Sequence, residues 1–234
     1  MGAKIGGWYE VDSVYTSKGM TCHDGLVGNL SANISDFRVG DTVLPAFIGY
    51  WGILSLSESK KFPKEKPGRW VEADTYAGVD TAKFFDWKEY VSLKMWWLRW
   101  NFPDTGRKPT DMCAFDVTLI KCPLHPTTSW RYRFHGASEG RFEVKAGVFE
   151  EYGFTEDWFA FSGLTLWYVN YKNENPARSS GLSCGDVSLG LRWKMFYVKA
   201  TYYFQLDPDV VKKGHQPYNY DENLVFGAGF RFAF

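Results

Sequence analysis

The chain has 234 residues with 27 basic and 27 acidic side chains, so its formal net charge is zero; that excludes the basic footprint of a nucleic-acid binder and any acidic tail. With a mean hydropathy of -0.32, no stretch approaches the roughly 18–20 apolar residues of a membrane helix. Aromatic side chains make up 19% of the chain, 11 of them Trp, an excess that suits the interfacial girdles of a transmembrane barrel or the binding face of a soluble β-sandwich.

Taken in chain order, strand-sized runs followed by turns recur about twelve times. They cover residues 4–17, 26–37, 43–56, 69–81, 87–100, 111–121, 129–136, 141–153, 158–171, 183–193, 196–206 and 223–234. Such runs suit the roughly 9–11 residues of a tilted membrane strand. Most show a period of two, with one apolar and one polar face. The first run carries Glu10 and Asp12. The third, VLPAFIGYWGILSL, and the ninth, WFAFSGLTLWYV, are apolar on both faces and fit poorly as simple membrane strands. Pro45 argues for a strand end or a bulge in the third. In the fourth, Val71, Ala73, Ala77 and Val79 alternate with Glu72, Asp74, Gly78 and Asp80. The fifth puts Lys94 in register with Trp96 and Trp100, and the sixth carries Asp116. The seventh alternates Trp130, Tyr132 and Phe134 with Arg131, Arg133 and His135; the eighth alternates Phe142, Val144, Ala146 and Val148 with Glu143, Lys145 and Gly147. The tenth sets Val187, Leu189, Leu191 and Trp193 against Asp186, Ser188 and Arg192, and the eleventh sets Val198, Ala200, Tyr202 and Phe204 against Lys199, Thr201 and Gln205. In the last, NLVFGAGFRFAF, Leu224, Phe226, Ala228, Phe230, Phe232 and Phe234 face one way; Val225, Gly227, Gly229, Arg231 and Ala233 face the other.

The connections alternate in length. Those after odd runs are mostly long and polar, such as SKGMTCHDG, LSESKKFPKEKPGR, NFPDTGRKPT, NENPARSSG and DPDVVKKGHQPYNYDE; those after even runs, such as RVGD, AKFFD and FTED, are mostly short. Long outer loops and short inner turns are the pattern of an even-stranded membrane barrel, with both termini on the periplasmic side. The expected fold is therefore all-β: a single domain over 1–234 forming an antiparallel up-and-down transmembrane β-barrel of about twelve strands. The closing strand resembles that of bacterial outer-membrane β-barrels, which typically end on an aromatic residue read by the barrel-assembly machinery, here Phe234. That resemblance implies the outer membrane of a diderm bacterium, with membrane lipid and the assembly machinery as partners. The start MGAKIGG lacks the charged and apolar regions of an export signal, so the chain reads as a mature form.

Charged residues on the polar faces would be costly in lipid and are expected in a wet lumen. They are Glu10, Asp12, Glu72, Asp74, Lys94, Asp116, Arg131, Arg133, Glu143, Lys145, Asp186, Arg192, Lys199 and Arg231. Acids concentrate on the first and fourth runs and bases on runs seven, eight and ten to twelve. An acidic and a basic arc, and with them a transverse field acting as a selectivity filter, are one expectation. Mutual pairing that plugs a narrow barrel is the other. Trp8, Tyr9, Trp51, Trp70, Trp87, Trp96, Trp97, Trp100, Trp130, Trp158, Trp167 and Trp193 read mostly as interfacial belt, although Trp96 and Trp100 beside Lys94 also read as a stacking rail. HExxH does not occur, and of the four histidines (His23, His125, His135, His215) only His135, near Ser138, suggests nucleophile chemistry; no enzymatic activity and no cofactor is expected. Cys22, Cys113, Cys122 and Cys184 lack metal spacing. Cys22, Cys113 and Cys184 are expected at the outer rim, where a disulfide between two of them is sterically allowed in an oxidising compartment, and Cys122, near the inner rim, is expected to stay free. Asp207–Asp209 and Asp221–Asn223 bracket the last outer loop, where calcium is conceivable, but no metal site is expected.

Three segments resemble the TorF-type family of outer-membrane porins: Tyr15-Thr16-Ser17-Lys18-Gly19, Gly49-Tyr50-Trp51-Gly52, and the stretch from Trp70 through Glu72, Asp74 and Tyr76 to Gly78. The resemblance implies a monomeric or weakly associated porin-like barrel of unspecified substrate. The function expected is passive diffusion of small polar or charged solutes across the outer membrane. Two alternatives stand beside it: a closed barrel serving as anchor, adhesin or docking protein, with loops folded inward, and a soluble aromatic-rich β-sandwich that buries the aromatic face of the last strand.

Overall fold

The structure, a computed structural model, describes residues 2–17, 20–59, 66–104, 107–136, 138–171, 179–210 and 224–234. Its strands are β1 (Gly2–Asp12), β2 (Tyr15–Ser17), β3 (Met20–His23), β4 (Val27–Val39), β5 (Thr42–Ser55), β6 (Trp70–Asp80) and β7 (Val91–Phe102). They continue as β8 (Arg107–Leu119), β9 (Thr127–Gly136), β10 (Phe142–Gly153), β11 (Trp158–Asn170), β12 (Ser180–Trp193), β13 (Phe196–Gln205) and β14 (Leu224–Ala233). Among the described residues twelve of these, β1 and β4 to β14, form one closed antiparallel barrel in which each strand pairs with its neighbours in sequence. β14 closes it against β1, with Trp8 opposite Arg231 and Asp12 opposite Gly227. β2 and β3 form a separate two-stranded hairpin.

The alternation read from the sequence sets the two faces of the wall. Val187, Leu189, Val198, Phe226 and Phe234 point outward and lie exposed, Leu189 at 61% and Phe234 at 83%. No second layer covers them, which removes the β-sandwich reading. A continuous outward band of aliphatic and aromatic side chains is tolerable only against hydrocarbon. Among the described residues no helix is long and apolar enough to cross a membrane; barrels of this fold cross with their strands.

Several local expectations give way to better-satisfied geometry. Residues 87–90 are not strand: 3₁₀ turns at Thr81–Phe84 and Asp86–Glu89 fill the β6–β7 connection and put Trp87 on a turn. The expected long loop NFPDTGRKPT is mostly strand, since β7 runs to Phe102 and β8 starts at Arg107. The first run breaks after Asp12, and its end becomes β2. Pro45 sits inside β5, opposite Asp36, where the register slips and Asp36 takes a positive φ of 53°; the bulge absorbs the missing N–H. A second slip between Ile53 and Leu54 of β5, opposite Trp70 to Glu72, accompanies an inward Val71, buried at 5% with Val27 and Ile53 rather than facing lipid. β5 and β11, apolar on both sides, are ordinary barrel strands whose inner residues pack inside the lumen, including Ile53 and Val169.

Candidate functional site: the lumen

All fourteen charged residues singled out from the sequence fall on inward-facing positions of the wall, but they do not form two opposed arcs. At the seam, Lys199 of β13 reaches over β14 to Glu10 of β1 at 2.7 Å and stands 4.0 Å from Asp12. The small face of the last strand makes this possible. Gly227 lies in register between Asp12 and Lys199, and a Cβ there would sit 2.4 Å from the Asp12 carboxylate and 2.8 Å from the Lys199 side chain. Asn29 donates a further hydrogen bond to Asp12 at 2.5 Å. Near the inner turns, Arg192 donates to Glu151 at 2.6 and 3.1 Å, and Arg231 donates to the same carboxylate at 3.0 Å. Toward the outer end, Arg133 donates to Glu143 at 2.6 Å, with Arg141 3.8 Å away, and all three are buried. The basic arc is thus largely neutralised from within. Glu151 and Arg141 were missed in the sequence. Glu151 is four inward steps along β10 from Glu143, and Arg141 is one step before it, just ahead of the strand, so extending the same alternation in both directions finds them.

The rest of the interior holds a cavity. A cavity of about 940 Å³ runs along β4 to β12. It follows β7 through Ser92, Lys94, Trp96, Leu98 and Trp100, reaching Asp36 and Lys83 at the turn end and Tyr15, Thr16 and Ser17 at the other. Lys94, Asp116, Arg131, Lys145 and Asp186 border it, whereas Glu72 and Asp74 lie buried beyond its lining. Here the carboxylates hold neutral donors: Asp116 accepts the Trp96 indole N–H at 2.8 Å, and Asp186 accepts from Thr165 and Trp167. Trp8, Trp51, Trp96, Trp100 and Trp167 therefore line the lumen rather than the interfacial belt, because their strand positions share parity with the inward charges. Trp97, Trp130, Trp158 and Trp193 remain outside.

Hairpin β2–β3 bounds the outer end of this cavity. Tyr15, leaving β1, donates to Glu72 on β6 at 2.8 Å, so the hairpin crosses inside β4 and β5, which intervene in the barrel order. His23 is fully buried with its ring 3.4 Å from the Ser55 hydroxyl, and Thr21 is buried beside it in sequence. Ser59 hydrogen-bonds Asp24, and the Leu26 N–H donates to the Ser57 hydroxyl at 2.8 Å. The first loop thus folds inward.

The remaining candidates are separate. His135 pairs with Asp111 in the ladder at the outer end of β9. Cys113 is exposed on β8 and Cys184 is buried in β12, so the cysteines are not grouped at a rim. Asp207 caps the Asp209 N–H at 2.8 Å; Asp221–Asn223, His215 and most of the loop from 207 to 222 lie outside the described residues, as do Lys18, Gly19 and residues 60–65 and 172–178. Among the described residues no group of three or more His, Cys, Asp or Glu could hold a metal.

No family model and no curated protein matches the chain, so the TorF-type resemblance rests on its motifs alone. Solved structures do match. An outer membrane channel from Pseudomonas putida F1 aligns over 100% of this chain and 96% of its own at a TM-score of 0.52 and 10% identity. The KdgM porin aligns over 99% of both chains at a TM-score of 0.50 and 9% identity. The fold is that of the outer-membrane β-barrels. At such identity the likeness concerns architecture and transfers no residue roles.

Proposed function

We propose that the chain is a porin-like channel of a bacterial outer membrane, passing small polar or charged solutes through the part of the lumen lined mainly by β4 to β12. The observation that carries this reading is the cavity itself: it extends the height of β7, and among the described residues Lys94, Asp116, Arg131, Lys145 and Asp186, which border its middle, form no ion pair, unlike Asp36 and Lys83 at its turn end. Elsewhere in the barrel, charge is spent on mutual pairing. The channel and porin named above share the architecture and support a barrel of this class. On this reading, lipid contacts the outward band, the assembly machinery reads the strand ending in Phe234, and the chain does no catalysis. Liposomes loaded with the refolded protein should swell in isotonic small sugars and amino acids, and more slowly as solute size rises. Swelling no faster than in protein-free liposomes would refute an open path.

The inward hairpin favours a second reading, a barrel whose outer mouth is shut at rest. In that case swelling should appear only when the hairpin is removed or released from Glu72.

A further inference from the structure

We infer that the centre of the cavity is a binding site for a compact organic anion with a flat face, formed by Arg131 and Lys145 around the indole of Trp167. This deepens the channel reading and rests on it only for how the ligand arrives. The Arg131 guanidinium lies 5.2 Å from the Trp167 ring and 5.7 Å from the Trp96 ring, and the Lys145 ammonium lies 5.5 Å from the same Trp167 ring. Two cations thus converge on one indole. Neither has a carboxylate within 4.0 Å among the described residues, in contrast to Arg133, Arg192 and Lys199. Like charges brought together in a partly enclosed space repel, and a counter-anion relieves that.

The acids nearby are otherwise engaged. Asp116 holds the Trp96 N–H, and Asp186 holds Thr165 and Trp167. They hold the indole N–H groups and act on Lys145 through space without forming an ion pair with it or with Arg131 among the described residues. The arrangement offers a ligand two things at once: positive charge for a carboxylate or phosphate, and aromatic faces for a ring. Lys94, which also borders the cavity and has no ion pair among the described residues, extends the positive wall.

Two chemical sources supply such an anion, an aromatic acid and a sugar acid, and they are separable by probe. The refolded full chain in detergent is titrated with benzoate and with glucuronate, reading Trp fluorescence excited at its red edge, with chloride as the reference anion. Saturable quenching by at least one probe is expected, about tenfold weaker in each of Arg131→Gln and Lys145→Gln. Heat-modifiable mobility shows that each variant has folded. Saturation by benzoate alone supports an aromatic-acid site, by glucuronate alone a sugar-acid site, and by both a site selecting charge and a flat face. No saturation with either probe, or equal saturation in wild type and both variants, overturns the inference. Because fluorescence does not depend on current, swelling without saturation leaves the channel standing and the site refuted, and saturation without swelling does the reverse.

Discussion

Arginine scanned along the outer face of β12 and its turn should report membrane depth. Val187 lies at the middle of β12 and pairs with Leu164 and Tyr202. Its exposed side chain stands in a band with Leu189, exposed at 61%, and Leu191. An Arg at the bilayer midplane of such a barrel costs about 2–4 kcal/mol, falling to roughly 0–1 near the interfaces. Strand rise of about 3.3 Å per residue at a tilt near 40° puts Leu189 about 5 Å closer to the inner interface. Met195, in the β12–β13 turn, is at the interface itself. Val187→Arg should therefore be the most destabilising, Leu189→Arg intermediate, and Met195→Arg nearly neutral. Guanidinium unfolding in phosphatidylcholine vesicles, followed by Trp fluorescence, measures the series. A flat series, or tolerance of Val187→Arg within about 0.5 kcal/mol, would mean that this face does not meet hydrocarbon, and the membrane orientation of the whole wall would fall with it.

Other consequences are sharper locally. Glu143→Ala leaves Arg133 and Arg141 buried without their carboxylate and should cost about 3–5 kcal/mol, read as a shift in the same unfolding transition; a loss under 1 kcal/mol would show that water already solvates the cluster. Gly227→Val forces a side chain into the space shared by Asp12 and Lys199 and should cost roughly 1–3 kcal/mol, whereas a neutral result would place that ion pair elsewhere. Replacing residues 14–24 by a short Gly-Ser link should preserve heat-modifiable folding and raise solute flux; unchanged flux would deny the hairpin any role in narrowing the mouth.

The barrel was legible because it is written in period two. Phe226 to Phe234 against Gly227 to Arg231 is a pattern only a two-faced wall satisfies, and the long-short alternation of connections supplies the topology. The inner and outer faces followed from the same parity. What parity does not encode is distance across the lumen. Lys199 meets Glu10 because Gly227 and Gly229 clear the strand between them, a relation visible only once the barrel closes. Bulges hid others: Val71 turns inward because β5 slips against β6 there. The tryptophans misled because an indole suits both an interface and a wet lumen, and position along the strand, not residue type, decides between them. The hairpin was unreadable for a related reason, since Tyr15 finds Glu72 far along the chain.

Single-channel recording in a planar bilayer tests the central claim most directly, with heat-modifiable mobility as the folding control. The account predicts stable current steps whose anion preference falls when Lys94, Arg131 and Lys145 are all changed to Gln, since these cations border the cavity without an ion pair among the described residues. A folded protein that carries no current, with or without residues 14–24, would contradict it and make the lumen a filled core.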